Sequence, residues 1–239
     1  GAQAAAIRMP FYWDPPTRLL DEVIAARGLR LSNTDRVIAL KFPAYIVPWP
    51  DKVVWLLHQY RQAYDLFDAN QSSIPRNPEG DAIRAAIRAA DNAALTEARI
   101  LFTNSRTTTD RLLRYNGIPS TILPPPVNDA ELFTGGAADG YIFAGGRVNG
   151  MKRQHLLIEA LVHAPGMRLV IAGPPDTPGD AARLRETAAR CGVEDRVTLD
   201  LRFLPREDLA RLVNHASAVA YLPFDEDSPG YVTMEAFQA

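Results

Sequence analysis

Short apolar runs alternate with longer stretches of helical periodicity along most of the chain. The runs are often β-branched and predict strands at positions 6–9, 36–39, 53–57, 100–103, 121–123, 141–144, 168–172, 197–201 and 218–222. The clearest helix is predicted over 81–98, where apolar residues recur at steps of three or four. This alternation is typical of parallel sheets that are covered by helices.

A second helix is predicted over 107–115. Thr107 and Asp110 have the spacing of a capping box at its start, and Asn116 followed by Gly117 is a common helix stop. The helix would lie between the predicted strands at 100–103 and 121–123.

The segment LPPPVNDAELFTGGAADG interrupts this rhythm. Three consecutive prolines stiffen the backbone, and the glycine and alanine residues after them bury little surface. We therefore predict a domain boundary, with an N-terminal lobe over 1–123 and a C-terminal lobe over 124–239. Both sides have the α/β pattern, so each lobe is predicted to be a parallel sheet with helices on both faces.

The composition narrows the range of partners. The chain has 239 residues, of which 47% are hydrophobic, and a formal net charge of -2. It has no basic field of the kind that binding to nucleic-acid phosphates requires, so we expect no nucleic-acid partner. Cys191 is the only cysteine, which excludes a disulfide framework within the chain.

Nothing in the sequence has the pattern of a membrane segment or a leader. No apolar run reaches the roughly 18 to 20 residues that cross a bilayer, and no basic stretch followed by an apolar one opens the chain. We therefore expect a cytoplasmic protein. Peripheral contact with a membrane that carries a lipid-linked acceptor stays open.

The stretch YIFAGGRVNGMKRQHLLIEALV combines a strand, glycines and two cations before a helix. Gly145 and Gly146 let the backbone approach a ligand closely, and Arg147 and Lys152 add positive charge where a helix would begin. The combination is suited to a diphosphate. The spacing matches neither a Walker A loop nor the dinucleotide fingerprint. A tight turn with two solvated basic residues is the alternative reading.

The closing stretch DEDSPGYVTMEAF has a second polar turn between a strand and a helix. It places Asp227 before the turn, Glu235 on the helix, and the amides of Gly230, Tyr231 and Val232 at the helix start. In a parallel sheet both turns would open at the carboxyl edge, where such sheets bind ligands.

These two motifs together resemble glycosyltransferase family 4, the retaining sugar transferases of the GT-B fold. The stretch DSPGYVTME matches the family's paired acids with Asp227 in place of the usual Glu, and GRVNGMKRQHLLIEAL is similar to its Arg and Lys loop. ARILFTNSRTTTDRLLRYNGIPSTILPPPV resembles its interlobe passage, and KVVWLLHQYRQAYDL resembles an N-lobe segment. The resemblance implies two Rossmann-like lobes.

The same resemblance implies roles for the site residues. Arg147 and Lys152 would hold the diphosphate of a UDP- or GDP-linked sugar donor and stabilise it as leaving group. Glu235 would accept hydrogen bonds from the ribose hydroxyls, and Asp227 from hydroxyls of the donor sugar. The backbone amides of Gly230, Tyr231 and Val232 would cap the sugar or phosphate oxygens. The cations replace a metal ion, and no cofactor is expected. The acceptor stays open between a glycan, a lipid-linked molecule and a small molecule.

His58 is the candidate from the first lobe. It follows the predicted strand at 53–57, and a histidine near the donor sugar matches the family pattern. A histidine satisfied by neighbouring backbone is the competing reading.

The chain departs from the family pattern at both ends. An opening strand and its glycine-rich loop are missing before AAIRMPFYW, and the chain stops soon after Glu235. We expect a truncated fold, with completion by another chain or a homo-oligomer left open. The alternatives to an active transferase are a non-catalytic scaffold of the same fold and a related two-lobed enzyme, either a nucleotide-sugar epimerase or a phosphorylase.

Overall fold

The computed structural model describes residues 3–225 and 230–239 and divides the chain into two compact units, Gly1–Pro125 and Pro126–Ala239. The division falls within the run of prolines, two residues after the boundary placed from the sequence. Each unit contains a four-stranded sheet in which every strand pair is parallel.

The strands of the first sheet pair in chain order. They are β1 (Val37–Ala39), β2 (Lys52–Leu56), β3 (Ile100–Thr103) and β4 (Thr121–Ile122), and the described α-helices of this unit are α1 (Arg18–Gly28), α2 (Asp65–Asp68), α3 (Pro78–Thr96) and α4 (Arg106–Asn116). Ala39 and Val54 belong to the buried core of this unit. On the opposite face Ile38 and Ile100 are 63% and 43% exposed.

The second sheet has the order β7-β6-β5-β8. Its strands are β5 (Tyr141–Gly145), β6 (Arg168–Ala172), β7 (Val197–Asp200) and β8 (Ala218–Val219), and its described α-helices are α5 (His155–Ala160), α6 (Pro178–Cys191), α7 (Arg206–Asn214) and α8 (Tyr231–Gln238). Along β5, Ala144 packs into a core with α5 and α6, whereas Phe143 packs into a second core with α7 and α8. Helices therefore cover both faces of this sheet.

Local signals explain where several elements begin and end. The N-cap of α4 is Ser105, whose hydroxyl accepts a hydrogen bond from the Thr108 amide, so the cap predicted at Thr107 was two residues late. Gly117 ends α4 in the left-handed conformation, as the Asn-Gly pair predicted. Thr177 and Asp180 form a reciprocal capping box at the start of α6.

Two predicted strands are absent or much shorter in the structure. Positions 6–9 form no strand, and Ile7 is 64% exposed, because the segment has no hydrogen-bonded strand beside it in the described part of the chain. β8 ends at Val219, and the predicted strand residues 220–222 continue as irregular chain. None of the helices among residues 3–225 and 230–239 is long and apolar enough to cross a membrane.

A buried polar cluster lies inside the first unit. The hydroxyls of Tyr45 and Tyr64 donate to the two oxygens of the Asp91 carboxyl at 2.9 Å and 2.7 Å. Asp91 is fully buried, and burial raises its pKa to about 7, although both tyrosine hydrogen bonds act in the opposite direction.

Candidate functional site

The loops after β5 and β8 leave the same edge of the second sheet. The two strands are hydrogen-bonded neighbours, with Ile142 opposite Ala218 and Phe143 opposite Val219, and they run parallel. The predicted cations follow β5, and the predicted helix start follows β8, so both parts of the candidate site lie at the carboxyl edge.

Glycines allow the loops to approach each other closely. Gly146 has a φ of +102°, and its amide donates to the Ala172 carbonyl at 3.0 Å. Gly173 has a φ of +138°, and a Cβ on it would lie 2.2 Å from the Gly146 oxygen. A Cβ on Gly145 would meet the Phe143 ring at 2.7 Å and Val232 of α8 at 3.3 Å. Larger residues at Gly145 and Gly173 would push the loops apart.

Lys152 joins the loop after β5 to the loop after β8. Its ammonium donates to the Tyr221 hydroxyl at 2.7 Å and lies 5.0 Å from the centre of the tyrosine ring. Two more contacts fasten the same loops: the Phe224 amide donates to the Met151 carbonyl at 2.7 Å, and Arg153 Nε donates to the Leu222 carbonyl at 2.8 Å. The cation predicted for the diphosphate is thus held beside the segment that leads into α8.

Arg147 is oriented toward a different neighbour. Its side chain is 67% exposed, and Nη1 lies 3.3 Å from Asp176 Oδ1, on the loop after β6. Asn149 Nδ2 donates to the other oxygen of Asp176 at 2.8 Å. A diphosphate that bound Arg147 would therefore compete with a carboxylate, which the sequence did not reveal.

α8 begins beside the ring of Tyr221. Gly230 is the N-cap residue, and a Cβ on it would lie 2.4 Å from the Tyr221 ring. The first amides of a helix have no acceptor within it, and here they belong to Tyr231, which is 46% exposed, and to the buried Val232. The tyrosine that holds Lys152 therefore also packs against this helix start.

The anion-binding helix start expected after Lys152 is much weaker. α5 begins at His155 and has only six residues, after which Leu161–His163 form a 3₁₀ turn. So short a helix has a small macrodipole. The positive charge in this loop comes from the side chains.

Glu235 is buried, with 2% exposure, and makes an ion pair. Its Oε1 accepts from Nη1 of Arg206, the first residue of α7, while Oε2 has no hydrogen-bond partner among the described residues. The sequence reasoning missed Arg206. A cation is unfavourable in the first turn of a helix. An arginine at this position in the sequence therefore indicated that a specific partner holds it.

His58 and Asp227 are the two remaining predicted site residues. His58 belongs to the first unit, two residues after β2, and its Nδ1 lies 2.6 Å from the Gln59 carbonyl oxygen. That contact is the one expected of a histidine satisfied by neighbouring backbone. Asp227 lies outside the described residues. In the part of the chain that the structure describes, no three His, Cys, Asp or Glu side chains converge as metal ligands do.

Comparisons with known proteins agree on one family. Residues 137–239 match the family model described as "Glycosyl transferases group 1". The chain is 33% identical over 178 residues to a D-inositol 3-phosphate glycosyltransferase of Mycobacteroides abscessus, covering 66% of this chain and 39% of the relative. A relative of the same name from Mycobacterium sp. (strain KMS) is 30% identical over 210 residues, covering 80% of this chain and 46% of that protein.

The solved structures show the same architecture. HepE of Anabaena, crystallised in complex with UDP, is 20% identical with a TM-score of 0.65, and the match covers 92% of this chain and 60% of that one. At this identity the likeness shows the fold alone. The chain spans less than half the length of the two curated relatives.

Proposed function

Because the chain belongs to the glycosyl transferases of group 1, with the Rossmann-like lobes of the GT-B fold, we propose that it transfers a sugar from a nucleoside-diphosphate sugar to an acceptor. The proposal includes retention of the anomeric configuration and a reaction without a metal ion. Both of these follow from the resemblance to glycosyltransferase family 4.

The observation that carries the proposal is the contact between Lys152 and Tyr221. It brings an ammonium to the loop that leads to Gly230, so that a cation and the amides of a helix start share one edge of the sheet. A diphosphate is a ligand that uses both, because its oxygens accept from ammonium and amide groups and its charge is stabilised at a helix N-terminus.

In the proposed reaction the bond between the anomeric carbon and the diphosphate oxygen breaks. A new bond forms from that carbon to the oxygen of an acceptor hydroxyl, whose proton passes to the departing diphosphate. Arg147 and Lys152 would stabilise the charge that develops on the departing diphosphate. Arg147 would first have to exchange Asp176 for the donor. Asp227 and His58 stay as proposed partners of the donor sugar.

Glu235 is proposed to bind the ribose. Its Oε2, which has no donor among the described residues, favours this role, because leaving a buried carboxylate oxygen unsatisfied costs free energy that a ribose hydroxyl would recover. Only 2% of Glu235 is exposed, so a hydroxyl reaches Oε2 only when neighbouring groups move.

The comparisons suggest which molecules to test first. UDP is bound by HepE, which supports a uridine donor. The curated relatives are named for D-inositol 3-phosphate, which supports a phosphorylated polyol as the first acceptor to assay.

Calorimetry with UDP and GDP tests the proposal on the whole chain. We expect one of the two to bind, and we expect Lys152→Ala to weaken that binding at least tenfold because it removes a charged hydrogen-bond donor. Lys41→Ala is the matched control, since Lys41 is exposed and belongs to the first unit.

Absence of binding to either nucleotide would contradict the proposal and favour a scaffold. Release of free nucleoside diphosphate from the donor, when acceptor is added, separates a transferase from an epimerase. The product of an epimerase still carries the sugar on the nucleoside diphosphate, so no net release occurs.

A further inference from the structure

Arg206 occupies an electrostatically poor position for a cation. It is the first residue of α7, where the positive end of the helix dipole disfavours a guanidinium. Its side chain is nevertheless only 25% exposed, so it is held by specific contacts rather than by solvent.

Those contacts come from two separate parts of the second unit. Nη1 donates to Glu235 Oε1 on α8, and Nη2 donates to the Asn128 carbonyl, close to the domain boundary. Nε lies 3.3 Å from Asp129 Oδ2, and the guanidinium carbon lies 4.6 Å from the centre of the Phe133 ring. Phe133 is 1% exposed, so the guanidinium plane rests on a fixed surface.

The two carboxylate oxygens of Glu235 have different surroundings. Oε1 is engaged by a planar donor whose position is set by Asn128 and Phe133, while Oε2 has no partner among the described residues. An arginine that is anchored in this way holds Oε1 at a fixed point, which a flexible lysine ammonium would do less well.

We infer that Arg206 is a positioning residue, which orients Glu235 so that Oε2 is the acceptor for a ribose hydroxyl of the nucleotide. The inference rests on the proposed function. Arg206 itself makes no contact with the donor, and the segment from Asn128 to Phe133 contributes to ribose recognition only through Arg206.

A purely structural role predicts something different. If Arg206 only stabilised the fold, its removal would weaken the binding of every nucleotide by the same factor. A positioning role instead predicts loss of discrimination between nucleotides that have and lack the ribose hydroxyl. The ratio of the two affinities separates the roles, because a general change in stability cancels from it.

The experiment measures the affinities of UDP, 2′-deoxy-UDP and 3′-deoxy-UDP, or of the guanosine series if GDP is the ligand. Removing the hydroxyl that donates to Oε2 is expected to lower the affinity of the wild type about tenfold or more, as is usual for hydrogen bonds to charged groups. In Arg206→Met the ratio of the affinity for UDP to the affinity for that deoxy analogue is expected to fall to about twofold or less. Arg206→Lys, which keeps the charge over Phe133, should lie between the two.

Arg211→Met is the matched control. Arg211 is also on α7, is 66% exposed, and pairs with Asp208 on its own helix, so its loss should leave the ratio unchanged. Thermal unfolding followed by circular dichroism shows which variants fold. If Arg206→Met does not fold, the ratio in Arg206→Lys decides.

Each outcome bears on a different claim. A wild type that binds neither UDP nor GDP overturns the proposed function and the inference with it. A wild type that discriminates, together with an Arg206→Lys or Arg206→Met variant that keeps the full ratio, overturns the inference alone.

Discussion

Lys152 donates to the hydroxyl of Tyr221 at 2.7 Å, although 69 positions separate the two residues in the chain. The hydrogen bond spans the loops after β5 and β8, and the same tyrosine ring fills the space beside Gly230. One aromatic side chain thus sets the distance between a cation and a helix start.

Tyr221→Phe tests whether the hydroxyl prepares Lys152 for its ligand. The ring would still pack against Gly230, but the ammonium would lose a neutral acceptor. We expect the affinity for the nucleoside diphosphate to fall by about three- to tenfold, since a less ordered cation must be immobilised on binding. Calorimetry measures the change.

Tyr141→Phe is the control for that variant. The Tyr141 hydroxyl donates to the Leu212 carbonyl at 2.8 Å in the same unit, so its removal costs a comparable hydrogen bond away from the loops. Equal losses of nucleotide affinity in the two variants would contradict a role for the Tyr221 hydroxyl in preparing Lys152.

Asp176→Asn tests whether Asp176 competes with the ligand of Arg147. The carboxylate lies 3.3 Å from Arg147 and would repel a diphosphate there. We expect the substitution to raise nucleotide affinity about two- to threefold at low ionic strength, and less at high salt, because exposed charges are screened. Titrations at two salt concentrations measure the effect.

Asp195→Asn is the control for Asp176→Asn, because it changes the net charge of the second unit by the same amount at another exposed position. A similar gain of affinity in this variant would assign the effect to net charge. A loss of affinity in Asp176→Asn would mean that Asp176 holds Arg147 in place for the ligand.

Gly173→Ala should disturb the site from the neighbouring loop. A Cβ there would lie 2.2 Å from the Gly146 oxygen, and the φ of +138° is strained for any other residue. We expect a less stable second unit and weaker nucleotide binding, measured by circular dichroism and calorimetry. Gly179→Ala is the control, because its Cβ would meet nothing closer than 3.6 Å near the start of α6. Equal effects of the two substitutions would contradict the steric argument.

Asp91 should make the stability of the first unit depend on pH. Burial raises its pKa from 3.8 to about 7, so between these values the folded chain binds a proton that the unfolded chain has lost. The contribution of protonated Asp91 to the free energy of unfolding is therefore fully present below about pH 4 and is lost as the pH rises through 7. The slope is at most about 1.4 kcal/mol per pH unit for one proton.

Denaturant unfolding from pH 5 to 8 measures this dependence. Trp13, Trp49 and Trp55 are the only tryptophans in the sequence, and all belong to the first unit, so their fluorescence reports its unfolding. We expect Asp91→Asn to flatten the curve, and its free energy of unfolding relative to the wild type to rise with pH. Parallel curves for the two proteins would contradict the raised pKa.

The sequence predicted those parts of the fold that local chemistry decides. β6 has the predicted bounds of 168–172, because an apolar run between polar turns has one interpretation in an α/β chain. The start of α4 was wrong because Ser105 and Thr107 both offer a hydroxyl, and only the geometry selects Ser105. The strand at 6–9 was wrong because alternation cannot show whether a partner strand lies beside it.

The candidate site was also predicted only in part. The glycines and cations after β5 stand in a recognisable local pattern, so their place at the sheet edge was predicted. The partners of those side chains are tertiary contacts: Asp176 beside Arg147, Tyr221 beside Lys152, and Arg206 beside Glu235. Such pairs come from distant segments, and no local pattern specifies them.

The order of the strands has a consequence for synthesis of the chain on the ribosome. In the first sheet each strand pairs with the one made just before it, so that sheet can assemble as it emerges. In the second sheet β8 must return to β5, past β6 and β7, before Tyr221 reaches Lys152. The contact between Lys152 and Tyr221 would thus form late in synthesis, after all four strands of the first sheet have been made.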